Sequence, residues 1–199
     1  MKAAIILKDA FLKNFNKGKY DLIIGADSGA LHAIKNNIFL DIAIGDFDSV
    51  NNNEYELVKN NSKEIIKLNP IKDITDTNAA ISKAKGYDIE ILGGIKGKRI
   101  EHFISNIFDI INHKNVLMKD EYSLIEFIDN NDYKVRSGYK FISLFTIEES
   151  IISLSGFKYN LDNYNLKLYD NLCISNEIIN NPKIELKKGK ILIIYTIGD

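Results

Sequence analysis

Residues 41–50 read DIAIGDFDSV, a short apolar run that ends in a glycine followed by two aspartates, Asp46 and Asp48. An apolar run of this length predicts a buried strand of a parallel sheet, and the aspartates then lie in the loop at its tip. Two carboxylates this close repel each other unless a positive group lies between them. A hard cation such as Mg²⁺ prefers oxygen ligands of this kind and leaves room for the phosphates of a nucleotide. Because Asp, Gly and Ser are also common turn residues, a plain turn is the alternative for this stretch alone.

The sequence around this stretch, from residue 1 to about 118, alternates strand patterns with helical ones. Strands are predicted at 3–7, 22–24, 41–44, 65–68, 89–92 and 116–118, and helices at 28–34, 55–58, 79–84 and 100–111. This alternation predicts a mostly parallel sheet that is covered on both faces. Ligands bind such sheets outside the carboxyl ends of the strands. Polar loops follow the strands at 25–29, 45–49, 70–76 and 93–99. We therefore expect these loops to form one site.

From about residue 121 the pattern changes to short β-type runs separated by Asn, Asp, Gly and Ser. The runs are 124–128, 140–145, 151–154, 166–169, 183–186 and 191–195. This pattern predicts a second, antiparallel domain, either a sandwich or a flattened barrel. We therefore divide the chain into an α/β domain at 1–120 and an all-β sandwich domain at 121–199.

Composition narrows the class of protein. The chain is 45% apolar and 27% charged, which is ordinary for a globular protein, and its formal net charge is −1 without a basic tail. That charge argues against a general nucleic-acid binder. No stretch approaches the roughly 20 apolar residues of a membrane span, and the apolar run at 3–7 is too short for a signal-peptide core. The single cysteine, Cys173, is expected to be buried and inert, and it favours a reducing, cytoplasmic location. No membrane partner is expected.

Residues 72–76 read KDITD and add the carboxylates of Asp73 and Asp76 and the hydroxyl of Thr75. They precede a predicted helix, where backbone N–H groups favour anions. The alternative is that Thr75 or Asp76 is only an N-cap. Asp27, at the end of the second strand, is a candidate for orienting a substrate or a metal-bound water, and its alternative is likewise a helix cap.

Gly93, Gly94 and Gly97 predict a flexible loop whose backbone can approach phosphates, and Arg99 offers a planar fork suited to phosphate oxygens. A glycine-rich turn without a ligand is the alternative. The spacing matches neither the P-loop pattern nor GxGxxG. His102 is more typical of a packing or capping residue than of a base, and neither a Cys/His zinc cluster nor a Ser-His-Asp arrangement stands out in the sequence.

Several acidic side chains and a Gly–Arg loop, without a nucleophile, are typical of phosphoryl-type transfer. That chemistry depends mainly on positioning and on neutralisation of charge by Mg²⁺ and Arg. On this hypothesis a metal held by Asp46, Asp48 and Asp76 bridges nucleotide phosphates, while a further carboxylate orients the attacking hydroxyl.

The order and spacing of these motifs resemble the thiamine pyrophosphokinase family. The segments that carry the resemblance are GADSGA at 25–30, GDFDS at 45–49, KDITD at 72–76 and residues 93–102. In the second half, GFKYNL at 156–161 and ISNE at 174–177 resemble the thiamine-domain motifs, and the final strand ending at Asp199 fits the family's terminus. The resemblance covers nearly the whole chain, and GDFDS followed by KDxTD is a highly specific combination.

The resemblance implies an α/β nucleotide-binding domain followed by a β-sandwich. It implies transfer of a pyrophosphoryl group from ATP to the hydroxyl of thiamine, which gives thiamine diphosphate and AMP with Mg²⁺. It also implies a homodimer whose active sites lie between the α/β domain of one subunit and the sandwich of the other. A pyrophosphokinase for another heterocyclic alcohol, such as a pterin alcohol, and a non-catalytic nucleotide- or thiamine-binding sensor are the alternatives.

The resemblance also implies roles for individual residues. Asp46, Asp48 and Asp76 hold Mg²⁺ with Asp73 nearby, Asp27 orients the reacting end, Thr75, Gly94, Arg99 and Glu101 serve the nucleotide, and Ser175 with Asn176 line the thiamine pocket. Three positions depart from the family pattern. Lys98 replaces a glycine, Glu101 replaces an aspartate, and Ser28 stands where a glycine is usual.

Overall fold

The computed structural model describes residues 1–71, 73–97, 99–129, 131 and 133–198 of the chain. Lys72 of the KDITD motif, the family departure at Lys98 and the terminal Asp199 therefore lie outside the described residues. The chain divides into two compact units, Met1–Glu121 and Tyr122–Asp199. In the part of the chain that is described, none of the helices combines the length and the apolar character needed to cross a membrane.

The first unit is an α/β unit with a parallel sheet, as predicted. Its elements are β1 (Lys2–Ile6), a 3₁₀ turn (Lys17–Lys19), β2 (Leu22–Ala26), α1 (Ser28–Lys35), β3 (Leu40–Gly45), α2 (Asn52–Asn60), β4 (Ser62–Lys67), α3 (Asp76–Lys83), β5 (Asp88–Leu92), α4 (Ile100–Asn112) and β6 (Val116–Lys119). The strands pair in the order β4-β3-β2-β1-β5-β6. The apolar runs form these strands because burial on both faces removes their side chains from water; residues 3–6 of β1 are fully buried.

The strand order reverses at β1, which lies between β2 and β5. From β1 the chain builds outward to β4 on one side, then returns to add β5 and β6 on the other. In open α/β sheets the crevice at such a reversal, outside the carboxyl ends of the strands, is where ligands bind. The topology therefore predicts that a ligand site lies among the loops that follow β1, β2, β3 and β5.

A buried ionic cluster joins β5, β6 and the 3₁₀ turn. Glu90 is only 8% exposed and accepts hydrogen bonds from Lys19 Nζ at 2.9 Å, Tyr20 Oη at 2.7 Å and Lys119 Nζ at 2.5 Å. Burial alone raises the pKa of Glu90, but hydrogen bonds from Lys119, Tyr20 and Lys19 outweigh it and lower that pKa to about 2. Burial also lowers the pKa of Lys119. The cluster as a whole therefore stabilises the folded chain by less than the pKa of Glu90 alone implies.

This cluster predicts an acid-sensitive contribution to stability. Between the usual pKa of 4.5 and the folded value of about 2, the unfolded chain binds a proton at Glu90 that the folded chain does not. The free energy of unfolding therefore falls as the pH drops through this window, by up to about 3 kcal/mol from Glu90, and the contribution is complete above it. Glu90→Gln should lose this part of the acid slope and be less stable at pH 7, because Lys119 loses its charged partner. Urea unfolding of both proteins between pH 2.5 and 7 measures this, and parallel acid slopes would contradict it.

The second unit is all-β and antiparallel. It comprises β7 (Ser123–Ile128), β8 (Phe141–Phe157), β9 (Leu161–Leu166) and β10 (Asn176–Thr196), paired in the order β7-β10-β8-β9. The consecutive residues Glu177 and Ile178 pair with Phe141 and Phe157, the two ends of β8. A straight strand of that length spans roughly 55 Å. The sheet must therefore bend back on itself, and the register shifts along β10 supply the irregularities that such a bend needs.

Several strand predictions in this unit are wrong in extent. The runs at 140–145 and 151–154 belong to one strand, β8, and those at 183–186 and 191–195 belong to β10. β10 even includes Pro182, which falls in the register shift between the paired residues Ile178 and Lys183, a position where a missing N–H is tolerated. The run at 166–169 is not a strand beyond Leu166. Tyr169 has φ of 66° and is 94% exposed, so it lies in a turn.

The prediction for the cysteine is confirmed. Cys173 is a free thiol that is only 2% exposed. Burial raises the pKa of the Cys173 thiol to about 11, so it is protonated and unreactive near neutral pH.

Candidate functional site

Three carboxylates meet at the carboxyl edge of the first unit's sheet. Asp27, Asp46 and Asp48 each place one carboxylate oxygen within 4.8 Å of the others. They meet because β2 and β3 are parallel neighbours, with Ala26 opposite Ile44, so the loops after the two strands leave the sheet side by side. The predicted convergence of these two loops is thus observed. We call this group the aspartate cluster.

The backbone of both loops is shaped for this approach. The Asp27 N–H donates to the Ile44 carbonyl at 2.7 Å, which ties one loop to the other. Phe47, between the two other aspartates, has φ of 56° and is only 5% exposed. Because its ring packs in the core, the flanking Asp46 and Asp48 are held near the surface, where the Asp48 N–H donates to Asp46 Oδ1 at 3.2 Å.

Gly45 is required at the point where the two loops touch. A Cβ atom there would lie 2.8 Å from the Cα of Asp27, closer than real Cβ contacts allow. The absence of a side chain at Gly45 therefore allows Asp27 to approach Asp46.

Asp27 does not serve as the helix cap that was its alternative interpretation. It stands at the N-cap position of α1, yet its side chain makes no capping hydrogen bond among the described residues. Its Oδ2 accepts from Ser49 Oγ at 3.3 Å, whereas its Oδ1 is buried and has no hydrogen-bond partner within the described part of the chain. A buried carboxylate oxygen in that state is costly unless a cation or a donor from a ligand reaches it.

The aspartate cluster fits a divalent cation. An ion with oxygen ligands at about 2.1 Å holds opposite ligands roughly 4.2 Å apart, so a set within 4.8 Å needs only a small closure. Carboxylate oxygens are the ligands that Mg²⁺ prefers, and Asp27 Oδ1 has no hydrogen-bond partner among the described residues.

The second acidic segment lies at the start of α3. Thr75 is the N-cap, and its Oγ1 accepts from the Asn78 N–H at 3.0 Å, in agreement with its alternative interpretation. Asp76 is the first residue of α3, and Asp73 is exposed in the preceding loop. Among the described residues Asp76 is not a member of the aspartate cluster, whose third member is Asp27. The helix α3 packs on β1, β2 and β3, and β2 and β3 are the strands that lead to the aspartate cluster.

Two polar residues that the sequence analysis did not select anchor this helix start. The Asn78 side chain donates to Asp109 Oδ1 of α4 at 2.7 Å, and Asp109 is only 6% exposed. Burial raises the pKa of Asp109. The indication in the sequence was an aspartate in an otherwise apolar stretch of α4, residues 107–111. Asn78 therefore links the segment that carries Thr75 and Asp76 to α4.

The glycine loop after β5 is braced by the loop after β1. Gly93 and Gly94 have φ of 88° and 81°, conformations that favour glycine. The carboxylate of Asp9, from the loop after β1, accepts from the Gly94 N–H at 2.7 Å and from the Lys96 N–H at 3.1 Å. Sequence analysis missed Asp9, although it follows a strand of the same sheet.

Arg99 and Glu101 pair with each other at the end of this loop. Arg99 Nε donates to Glu101 Oε1 at 2.8 Å, and both side chains are mostly exposed. The hydrogen bond from Arg99 lowers the pKa of Glu101. Glu101 thus keeps a negative charge and orients the guanidinium through Nε.

In the second unit the two predicted thiamine segments lie side by side. The Asn176 carboxamide is 4% exposed and is bonded to the backbone of Tyr159: it donates to the carbonyl at 2.7 Å and accepts from the N–H at 3.0 Å. Ser175 has φ of 53°, and its N–H donates to Ser143 Oγ at 3.0 Å. Asn176 is therefore a brace for the turn at Tyr159, and Ser175 is the more exposed of the two.

The second unit also contains a cleft of about 1080 Å³, lined by residues that include Tyr133, Arg136, Tyr139 and Leu154. Within the described ranges, none of the predicted site residues lines it. Among the described residues, the cleft is therefore not part of the predicted site.

Comparison with known proteins agrees with these features. Residues 15–119 match the family model for the thiamin pyrophosphokinase catalytic domain, and residues 129–191 match that for the thiamin pyrophosphokinase vitamin B1 binding domain. A thiamine pyrophosphokinase of Bacillus subtilis is 29% identical over 187 residues, which is 88% of this chain and 87% of that protein. A solved structure of thiamine pyrophosphokinase from Bacillus subtilis matches with 28% identity and a TM-score of 0.85, with all of both chains covered. A thiamin pyrophosphokinase family protein from Enterococcus faecalis has the same fold, with 21% identity, a TM-score of 0.87 and full coverage of both chains. The chain belongs to the thiamin pyrophosphokinase family.

Proposed function

We propose that this enzyme transfers a pyrophosphoryl group from ATP to the hydroxyl of thiamine with Mg²⁺, giving thiamine diphosphate and AMP. The observation that carries the proposal is the aspartate cluster, which lies at the sheet edge where nucleotides bind in this class of fold. In this proposal residues 1–120 form the ATP-binding domain and residues 121–199 form the thiamine-binding β-sandwich. We further propose a cytoplasmic homodimer whose active sites are shared between subunits.

Asp46 and Asp48, with Asp27, are the proposed metal ligands. Asp76, a ligand in the hypothesis drawn from the sequence, and Asp73 stay proposed members of the site, because they flank Thr75 at the start of α3. A bound Mg²⁺ would neutralise phosphate charge and hold the phosphate oxygens in place.

The remaining residues are proposed to bind and orient the nucleotide. Thr75 Oγ1 already accepts the capping hydrogen bond, so its hydroxyl hydrogen is suited to donate to a phosphate oxygen. Arg99 uses Nε for Glu101, and phosphate oxygens are the proposed partners of its Nη groups. Gly94 holds the loop conformation that leads to Arg99.

In the proposed reaction the thiamine hydroxyl oxygen bonds to the β-phosphorus of ATP. The bond from that phosphorus to the oxygen it shares with the α-phosphate breaks, and AMP leaves with the electron pair. The hydroxyl proton passes to a carboxylate at the site, and Asp27 is proposed to orient the reacting end. Positioning and charge neutralisation supply most of the rate in such transfers.

Ser175 and Asn176 are proposed to form the thiamine side. Asn176 positions the turn at Tyr159, a residue that is 64% exposed. An exposed aromatic ring suits the cationic thiazolium of thiamine. A pterin alcohol, the alternative acceptor, lacks that cation.

The product assay tests the proposed function. Incubation with ATP, MgCl₂ and thiamine is expected to release AMP in step with thiamine diphosphate, and EDTA is expected to stop both. ADP as the sole nucleotide product would exclude pyrophosphoryl transfer. A pterin alcohol run in parallel decides the acceptor, and absence of turnover with either alcohol, together with tight nucleotide binding, would favour the sensor. An active monomer in sedimentation would contradict a shared site.

A further inference from the structure

Asp9 lies where the strand order of the first unit reverses. It follows β1, whose neighbour β5 is followed by the glycine loop, and the Leu7 N–H still pairs with the Leu92 carbonyl at 3.0 Å. The two loops therefore emerge together at the crevice where α/β sheets bind ligands. Asp9 is 85 residues from Gly94 in sequence, and the β1–β5 pairing brings them together.

The Asp9 carboxylate uses both oxygens to hold this loop. Oδ1 accepts from the Gly94 N–H at 2.7 Å and Oδ2 accepts from the Lys96 N–H at 3.1 Å. Backbone N–H groups presented by a glycine turn form an anion-binding concavity. Here a carboxylate of the chain itself fills that concavity, so these two N–H groups are committed to the brace.

Other contacts fix the same loop from different sides. Asn106 Nδ2 of α4 donates to the Gly94 carbonyl at 3.4 Å, and Lys96 Nζ lies 3.4 Å from Asp120 Oδ2 after β6. Space is also limiting, because a Cβ at Gly93 would lie 2.7 Å from Asp9 Oδ1 and 2.8 Å from the Ala10 nitrogen. The loop is thus packed directly against the segment that contains Asp9.

The braced loop leads within a few residues to Arg99 and the first turn of α4. A displacement on the order of 1 Å at a positioning group can cost about 10²-fold in rate. The contacts made at Gly94 and Lys96 lie three to five residues before Arg99 in the sequence.

We propose that Asp9 is a positioning residue for the nucleotide: it holds the loop at residues 93–97 so that Arg99 and the start of α4 meet the ATP phosphates. This inference rests on the proposed function, since it assumes ATP as the substrate at this edge. It adds a residue of the β1 loop to the nucleotide half of the site and assigns Asp9 no contact with the reacting atoms.

The test compares Asp9→Ala, Asp9→Asn and wild-type enzyme in steady-state assays of AMP release. Asp9→Ala is expected to raise KM for ATP by on the order of 10-fold, with KM for thiamine within about twofold of wild type. The KM for ATP of Asp9→Asn is expected to lie between the values for wild type and Asp9→Ala, because the amide oxygen accepts one N–H while the NH₂ group faces the other. The second measurement is the rise in Tm caused by a non-hydrolysable ATP analogue. This rise should be largest for wild type, smaller for Asp9→Asn and smallest for Asp9→Ala.

Asp41→Asn is the matched control. Asp41 also accepts a backbone N–H, from Ile23 at 2.8 Å, but it lies at the opposite, amino end of the sheet. The substitution Asp41→Asn is expected to lower Tm without changing KM for ATP. A lower KM for ATP in Asp9→Ala would overturn the proposal by showing that phosphate competes with the carboxylate, and equal changes in both KM values would reduce Asp9 to a general structural role. If wild-type enzyme releases no AMP, the proposed function is wrong. If wild type releases AMP and only the expected change in KM for ATP is missing, the proposed role of Asp9 is wrong.

Discussion

Asp27→Asn is expected to lower kcat by on the order of 10²-fold or more while the protein stays folded. The substitution removes one negative charge from three carboxylate oxygens that lie within 4.8 Å of one another. A group that stabilises a metal and transition-state charge typically contributes this much. Asparagine has the same shape as aspartate and differs from it in charge, so it places no larger group at this residue, whose φ is 48°. Loss of activity would therefore report the charge rather than the backbone.

Two measurements make this prediction specific. Without Mg²⁺ the Tm of Asp27→Asn should not fall below that of the wild type, since like-charge repulsion is relieved. The Mg²⁺ concentration needed for half-maximal AMP release should rise. Asp21→Asn, at the amino end of β2, is the matched control, because its Oδ2 accepts from the Lys2 N–H at 2.7 Å far from the carboxyl edge. A wild-type kcat in Asp27→Asn would remove Asp27 from the site.

Gly29→Ala is expected to destabilise the first unit by about 3 kcal/mol and to lower its Tm by roughly 10 °C. A Cβ at Gly29 would lie 2.2 Å from the Ile6 carbonyl oxygen and 2.7 Å from the Cα of Leu7. Both are backbone atoms, so no side-chain rotation relieves the overlap. The helix α1 and the end of β1 would have to separate, which would also disturb the neighbouring Asp27.

Two other glycines separate this steric effect from the general cost of alanine. A Cβ at Gly18 would meet only the Asn16 side-chain oxygen, at 3.3 Å, so Gly18→Ala should be nearly neutral. At Gly86 the space is open but φ is 89°, so Gly86→Ala should cost on the order of 1 kcal/mol from backbone strain. Calorimetry of the three variants should therefore show the largest loss for Gly29→Ala and the smallest for Gly18→Ala. A Gly29→Ala effect no larger than that of Gly86→Ala would disprove the close packing.

The same geometry accounts for one departure from the family pattern. Ser28, where a glycine is usual, is the first residue of α1 and does not have positive φ. Its backbone conformation therefore does not require glycine. The steric requirement for glycine falls one position later, at Gly29.

Local patterns were sufficient to predict the parallel sheet and the acidic loops. Apolar runs of four to six residues specify buried strands because hydrophobic burial depends on composition over a short window. The parallel arrangement then follows, and with it the placement of successive loops at one edge. In the second unit the same method divided β8 and β10 into shorter strands. Bending of a long strand depends on its partner's register, which the local pattern does not contain.

By itself the sequence determined which chemistry the chain carries: the acidic GDFDS and KDITD loops, the glycine loop and Arg99, all placed after strands. The tertiary structure alone decided which of these groups meet. It joined Asp27 to Asp46 and Asp48 through the pairing of β2 with β3, and it joined Asp9 to the glycine loop through the pairing of β1 with β5. The physical reason is that residue type and spacing are local, whereas strand order and backbone approach are set by packing between residues far apart in the chain.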